Sequence, residues 1–348
     1  SYMSSSLLWE SIQKYHCTTI AVMGMAKNTG KTLVLNHLLE QSSRHSLPVG
    51  ITSIGRDGES HDQVFRTPKP LVIVPKGTLI ATARDTLNRS RITWEKVEET
   101  PFDSAMGRIW IVRAEEDGEL EIAGATRSSE QLDNMAHLRK LGSQMIYLDG
   151  ALGRSHHASP ALADGVILST GAALGGAMQD VLRKTQERLE VLTLKQIENP
   201  WRDRIREALQ NQPVAIWDIA DKPIAIRAKA TLTAAKELLC IEEPIQTIGL
   251  RGAVGQLLWD GILALATKRT IRVVIADGTR LFIERRDIAR LEEWGGTLEV
   301  LDPIRILGVS VNPTTPLGAG YDPQEFLDLA REMLKFTPIV DVILENNK

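Results

Sequence analysis

Residues 24–32 form a glycine-rich stretch, GMAKNTGKT, between an apolar run and a helical pattern. Its end combines Gly30, Lys31 and Thr32, which is the chemistry of a loop that binds phosphate groups. In such a loop successive backbone N–H groups point into one concavity at a helix N-terminus, the lysine reaches the terminal phosphates and the hydroxyl binds Mg²⁺. Five residues separate Gly24 from Gly30, one more than in the usual motif. We therefore predict a variant phosphate-binding loop, with an ordinary strand-to-helix turn as the alternative.

Two acidic residues follow apolar runs that we interpret as strands. Asp149 ends MIYLD, and an acid at the carboxyl edge of an α/β sheet can hold Mg²⁺ through water. Asp57 lies in GRDGES after an earlier strand, where phosphate-loop proteins sense the γ-phosphate. A simple Asp-Gly turn is the alternative for Asp57. We predict Lys31, Asp57 and Asp149 as catalytic residues, and Thr32, Asp57 and Asp149 as ligands of Mg²⁺.

The stretch LSTGAALGG, residues 168–176, ends another predicted strand. At that edge Thr170 and Gly171 could line the pocket for a nucleotide base. The stretch contains no Asn/Thr-Lys-x-Asp motif of the kind that recognises guanine, which favours ATP over GTP.

Two other stretches are weaker candidates for ligand sites. The adjacent His156 and His157 have no nearby cysteine or acid to complete a metal site, so a loop or a partner contact is the better interpretation. GLRGAVG, residues 249–255, could bind an anion through backbone N–H groups and Arg251. A tight structural turn is the favoured interpretation of that stretch.

Short apolar runs alternate with helical patterns along most of the chain, and continuous apolar runs indicate strands that are buried on both faces. The repetition of strand and helix predicts an α/β fold: a P-loop NTPase with a doubly wound, mostly parallel sheet and a second, smaller α/β domain. An EEDGE turn predicts an antiparallel hairpin over 108–124. Strands are predicted at 18–23, 49–54, 71–74, 109–113, 145–149 and 166–170, and helices at 31–41, 77–88, 129–141 and 176–193.

A polar helix over 199–213 leads into a new alternation, which begins with a predicted hairpin over 213–226 and ends with a predicted strand over 339–344. We therefore predict a nucleotide-binding domain over 1–212 and a smaller α/β domain over 213–348 that recognises a partner or substrate. The stretch VNPTTPLGAGYDP, residues 311–323, has few expected internal hydrogen bonds, and loops of this kind commonly carry binding function. Tyr321 and Asp322 are its predicted partner contacts.

Composition limits the class of protein. The chain has 348 residues, with 43% hydrophobic and 24% charged residues, as soluble globular proteins have. A formal net charge of -3 gives no electrostatic case for nucleic acid or an anionic membrane as a partner. Cys17 and Cys240 lie in apolar company and are predicted to be core residues in a reducing compartment. Without a long apolar run or a basic-then-apolar leader, we expect a cytoplasmic protein.

Most of the chain resembles a small bacterial family, the reactivase subunits of the adenosylcobalamin-dependent lysine 5,6-aminomutase. The matching runs are GMAKNTGKT, GITSIGRDGES, VPKGTLIATA, LDGALGR, LSTGAAL and VNPTTPLGAGYDPQEF. The resemblance implies a P-loop nucleotidase that uses ATP and Mg²⁺. It also implies two partners, the aminomutase with damaged cobalamin and a second ATPase reactivase subunit.

The glycine-rich loop is also similar to that of dethiobiotin synthetase and its relatives in the SIMIBI class of P-loop proteins. This similarity implies contacts to the nucleotide from Lys27, Asn28 and Thr29 in addition to the glycines. Lys27 would match the extra lysine of that class, with a solvated loop lysine as the alternative, because its offset from Lys31 is one residue short.

Two further functions stay open at this point. One is a dethiobiotin-synthetase-like ligase or small-molecule kinase, with Arg251 as a clamp for an acid substrate. The other is a nucleotide-binding scaffold without turnover. The sequence also leaves open whether the protein is a homodimer.

Overall fold

A computed structural model describes residues 6–54, 71–125, 127–150, 162–336 and 338–348. The chain divides into two compact units. The first comprises Ser1–Gln186 and Arg305–Lys348, and the second comprises Glu187–Ile304. The second unit is therefore an insertion in the first, whereas we predicted a C-terminal domain over 213–348. The boundaries are corrected accordingly.

The described elements are numbered here in chain order. The strands are β1 (Thr19–Gly24), β2 (Val49–Ser53), β3 (Val72–Val74), β4 (Leu79–Ala83), β5 (Trp94–Ser104), β6 (Gly107–Ala114), β7 (Gly118–Leu120), β8 (Met145–Asp149), β9 (Gly165–Gly171), β10 (Val214–Asp218), β11 (Pro223–Ile224), β12 (Ile245–Leu250), β13 (Arg272–Ile275), β14 (Thr297–Val300), β15 (Ile306–Asn312) and β16 (Ile339–Val340). The α-helices are α1 (Leu7–Lys14), α2 (Lys31–Arg44), α3 (Arg84–Asn88), α4 (Ser128–Lys140), α5 (Met178–Leu192), α6 (Trp201–Ala208), α7 (Ala235–Leu239), α8 (Gln256–Ala266), α9 (Arg285–Glu293), α10 (Pro323–Met333) and α11 (Val342–Asn346).

The first unit is built on a sheet that has nine strands in the described part of the chain, in the order β16-β15-β9-β1-β8-β2-β4-β6-β5. The strands from β16 to β4 run parallel to one another. Only β6 opposes its neighbours β4 and β5. The fold is thus mixed α/β with a large, mostly parallel central sheet, as the sequence predicted at this level.

The central strands consist largely of apolar residues, and these residues are buried where a helix packs against the sheet. Ile20 and Val22 of β1 are fully buried, in one core with Val34 and Leu38 of α2. Since the central strands are parallel, their carboxyl ends meet at one edge of the sheet. That edge carries Gly24, Asp149 and Asn312, the last residues of β1, β8 and β15.

Strand β15 explains why the predicted boundary at residue 212 was wrong. It pairs with β9 from Ile306 opposite Val166 to Asn312 opposite Gly171. Leu307 is fully buried in the core of the first unit. Gly165 leaves room for it, because a Cβ on Gly165 would lie 2.5 Å from Leu307 Cδ1. Strands β15 and β16, which follow the second unit in the chain, therefore belong to the sheet of the first unit.

The second unit contains a five-stranded sheet in the order β11-β10-β12-β13-β14. Strands β12, β13 and β14 are parallel, and β10 is antiparallel to both β11 and β12. The hairpin of β10 and β11 confirms the prediction for residues 213–226. Trp259 of α8 is fully buried in this unit, and its indole N–H donates to the Asp287 carbonyl at 2.9 Å.

Four local predictions are corrected. The predicted helix at 77–88 is strand β4 followed by α3. In the predicted hairpin at 108–124, β6 pairs with β4 and β5, while β7 pairs with β3 in a separate two-stranded sheet. The predicted strand at 339–344 is the short β16 followed by α11. Cys17 is buried as expected, but Cys240 is exposed.

Candidate functional site

The loop between β1 and α2 has a compact, internally braced shape. Asn28 has φ 61° and Gly30 has φ 93°, so both lie in the left-handed region. Thr29 is buried, and its hydroxyl donates to the Ala26 carbonyl at 2.9 Å. Gly24 makes this possible, because a Cβ there would lie 2.9 Å from Thr29 Oγ1. Glycine is therefore needed at the two positions for different physical reasons: Gly24 lets the Thr29 side chain approach the backbone, and Gly30 adopts a positive φ.

The same loop presents a run of backbone donors that have no partner among the described residues. Met25 N–H donates to the Ser169 carbonyl at 2.8 Å, and Val34 N–H donates to the Gly30 carbonyl at 3.1 Å. Between them, the N–H groups of residues 26–33 donate to no acceptor among the residues that the structure describes. They precede or open α2, where the helix dipole places partial positive charge. Such a run, with left-handed residues in it, makes a concavity that attracts anions.

Lys31 and Asp149 meet beside this loop. Lys31 Nζ lies 2.7 Å from Asp149 Oδ1 and also donates to the Gly150 carbonyl. Each side chain of the pair is 20% exposed. The contact follows from the sheet, because β8 is the parallel neighbour of β1 and pairs Asp149 with Val22. Gly150 N–H then donates to the Val22 carbonyl at 2.9 Å, which holds the end of β8 against β1.

The other predicted residues of the loop take different positions. Thr32 is half-buried in the first turn of α2, while Lys27 and Asn28 are exposed. The structure thus brings Gly24, residues 27–32 and Asp149 together at one edge of the sheet. Asp57, His156 and His157 lie outside the described residues.

Thr170 and Gly171 have packing roles in the structure. Thr170 is fully buried, and its hydroxyl is hydrogen-bonded to the Thr185 hydroxyl of α5 at 2.7 Å. A Cβ on Gly171 would lie 2.3 Å from the Asn312 carbonyl oxygen, so this glycine allows β9 and β15 to approach. The hydrogen bond to Thr185 thus engages the Thr170 hydroxyl, which we expected to line a pocket for the nucleotide base.

Asn312 is the residue at this edge that sequence reasoning missed. Its Nδ2 lies 3.4 Å from the Asn28 carbonyl, to which it donates, and its Cβ would lie 3.2 Å from a Cβ on Gly30. Its Oδ1 accepts from the backbone N–H and the hydroxyl of Thr314. Like Asp149, it is a polar residue that ends a buried apolar run, and that pattern could have identified it.

The stretch after Asn312 differs from its prediction in two ways. It belongs to the first unit and not to a separate partner-binding domain. It is also held by several hydrogen bonds, including one from Tyr321 N–H to the Pro313 carbonyl at 2.9 Å. The Tyr321 hydroxyl donates to the Gly176 carbonyl, and Asp322 caps α10 by accepting from Glu325 N–H at 2.9 Å. Tyr321 and Asp322 therefore have structural contacts here.

The stretch 249–255 is a structural turn, as favoured from the sequence. Three of its N–H groups are used: that of Arg251 donates to the Pro213 carbonyl, that of Gly252 to the Thr231 hydroxyl and that of Val254 to the Arg280 carbonyl. Arg251 Nη1 donates to the Leu209 carbonyl at 3.0 Å. The guanidinium is thus engaged with backbone carbonyls, and this engagement weakens the case for Arg251 as a substrate clamp.

Within the described ranges, no group of three or more His, Cys, Asp or Glu residues could hold a metal ion. No helix among these residues is long and apolar enough to cross a membrane. The fold and the site together define a mixed α/β protein with a lysine, a carboxylate and a run of N–H groups at the carboxyl edge of a parallel sheet, and these N–H groups have no acceptor in the described part of the chain. Comparison with protein-family models, curated proteins and solved structures gives no match.

Proposed function

We propose that the first unit binds ATP with Mg²⁺, and that residues 24–32 form its phosphate-binding loop. The observation that carries this proposal is the run of backbone N–H groups at 26–33 with no acceptor in the described chain, at the N-terminus of α2. A helix N-terminus with converging N–H groups favours phosphate, and Lys31 adds a positive charge at the same place.

The residues beside the loop fit a magnesium ion that accompanies the nucleotide. Mg²⁺ takes oxygen ligands and keeps several waters, so one or two protein oxygens together with phosphate oxygens suffice. Thr32 would supply a hydroxyl from the first turn of α2, and Asp149 a carboxylate. When bound, the ion neutralises charge on the phosphate oxygens.

We further propose that the protein is an ATPase that helps reactivate the cobalamin-dependent lysine 5,6-aminomutase with a second ATPase subunit. This part rests on the sequence resemblance, which includes stretches from both ends of the first unit. Nucleotide-driven reactivation requires that ATP favours a conformation with a different affinity for the damaged enzyme.

Isothermal titration calorimetry of ATP with Mg²⁺ tests nucleotide binding. Lys31→Ala should weaken affinity by about 10- to 100-fold, because a hydrogen bond to a charged group contributes about 1.5–3 kcal/mol. Lys140→Ala, which removes an exposed lysine at the end of α4, is the matched control and should bind as the wild type does. Equal affinity in Lys31→Ala and the control would contradict the phosphate-loop assignment.

The reactivase role has its own test. Aminomutase carrying damaged cobalamin is incubated with the protein and the second ATPase subunit, and released cobalamin is measured by absorbance. Release should require ATP and should be lost with Lys31→Ala. Intact ATP binding without any ATP-dependent release would refute this role and leave the nucleotide site standing.

A further inference from the structure

We infer that the Lys31–Asp149 ion pair makes the site selective for the magnesium complex of a triphosphate over the free triphosphate. The inference rests on the proposed function, because it concerns the same site. In the structure Lys31 is already engaged: Nζ is 2.7 Å from Asp149 Oδ1 and also donates to the Gly150 carbonyl. The lysine that would bind phosphate is thus held by the carboxylate that would bind the metal.

The pair is strong enough to compete with a ligand. Both side chains are only 20% exposed, so water screens their attraction less than it screens a surface pair. The contact is also a charge-assisted hydrogen bond, which is shorter and stronger than a neutral one. Any ligand that recruits Lys31 must therefore compensate for loss of the contact to Asp149.

A free triphosphate gives Lys31 a new partner but gives none to Asp149. It offers oxygens to Lys31, but Asp149 then loses its cation while more negative charge arrives beside it. Like charges held close together repel, and this repulsion opposes binding. The magnesium complex supplies a new partner to each member of the pair: phosphate oxygens to Lys31 and the cation to Asp149. The geometry therefore penalises the metal-free ligand.

The test is calorimetry of ATP binding at constant ionic strength, once with excess EDTA and once with Mg²⁺. In Asp149→Asn the lysine loses its ionic partner, so metal-free ATP should bind about tenfold or more tightly than it binds the wild type. The same variant should bind ATP with Mg²⁺ more weakly, so the ratio of the two affinities should move toward one. Unchanged or weaker metal-free binding in Asp149→Asn would overturn the inference.

A matched control removes a carboxylate from another ion pair of the same unit. Asp103 accepts from Arg108 Nε at 2.9 Å on the edge strand β5, which three strands separate from β8. Asp103→Asn changes the net charge equally and should leave both affinities unchanged. A gain in metal-free affinity equal to that of Asp149→Asn would mean that general charge, and not the pair, opposes free ATP.

A second variant tests the pair from its other side and does not depend on the folding of Asp149→Asn. In Lys31→Met the carboxylate loses its cation, so Mn²⁺ alone, followed by electron paramagnetic resonance, should bind several-fold more tightly than it binds the wild type. Equal or weaker Mn²⁺ binding would overturn the inference. Wild-type protein that binds ATP neither with Mg²⁺ nor with EDTA would instead refute the proposed function, and the inference with it.

Discussion

A chain that ends at residue 212 should fail to fold, whereas a chain that lacks only the insertion should keep the nucleotide site. The truncated chain loses β15, α10 and β16, and so removes the strands beyond β9 in the central sheet. The excised chain deletes Glu187–Ile304 and joins Gln186 to Arg305 through a flexible Gly/Ser linker of about 12 residues. It retains every strand of that sheet.

The magnitude follows from the apolar side chains that the truncation removes. Each fully buried Val, Leu, Ile or Phe contributes about 1.5–3 kcal/mol, so six of them contribute about 9–18 kcal/mol as an upper estimate. A whole domain is stable by only about 5–15 kcal/mol. Six such residues with at most 6% exposure are Ile306, Leu307, Val309, Val311, Phe326 and Leu327. Their loss should therefore unfold the first unit.

The assay is urea unfolding followed by circular dichroism, together with calorimetry of ATP with Mg²⁺. The truncated chain should show no cooperative transition and no ATP binding. The excised chain should unfold cooperatively and bind ATP within a few-fold of the wild type. The opposite pattern, a cooperative truncated chain that binds ATP and an excised chain that does not, would refute the assignment of β15 to the first sheet.

Three further predictions concern single residues. Gly30→Ala should lose about 1–2 kcal/mol of stability because Gly30 has φ 93°, and ATP affinity should also fall since the loop must change shape. Gly142→Ala is its control, because Gly142 has φ 111° and no atom within 4 Å of the place that an alanine methyl would occupy; it should lose similar stability but bind ATP normally. Burial lowers the pKa of His37 below 6.5, so the unfolded chain takes up a proton before the folded chain does as pH falls. The free energy of unfolding should thus decrease below about pH 6.5, and this decrease should be smaller in His37→Gln. The pKa of the half-buried Glu345 is raised by desolvation, which acts in the opposite direction. Equal pH profiles in urea unfolding would contradict this role of His37. Asp322→Ala removes the cap of α10 and should lower the free energy of unfolding by about 0.5–2 kcal/mol, whereas an unchanged urea midpoint would mean that the cap contributes nothing.

Local sequence was sufficient to predict the glycine-rich loop and the strand and helix on either side of it. The apolar run before Gly24 predicts a buried strand, and the pattern after Lys31 predicts the helix that begins there. Both features depend on neighbouring residues: backbone freedom at Gly30 and hydrophobic periodicity along α2. Asp149 was identified in the same way, as an acid at the end of a buried run.

Tertiary structure alone decided which strands are neighbours. β15 follows β14 of the second unit along the chain, yet it pairs with β9 of the first unit. Interstrand hydrogen bonds join backbone groups, which carry no local sequence signal for their partner. The charged edge strand β5 was missed because its residues form no apolar run. The contact of Asn312 with the Asn28 carbonyl joins residues 284 positions apart, so it could be found only after the sheet was assembled.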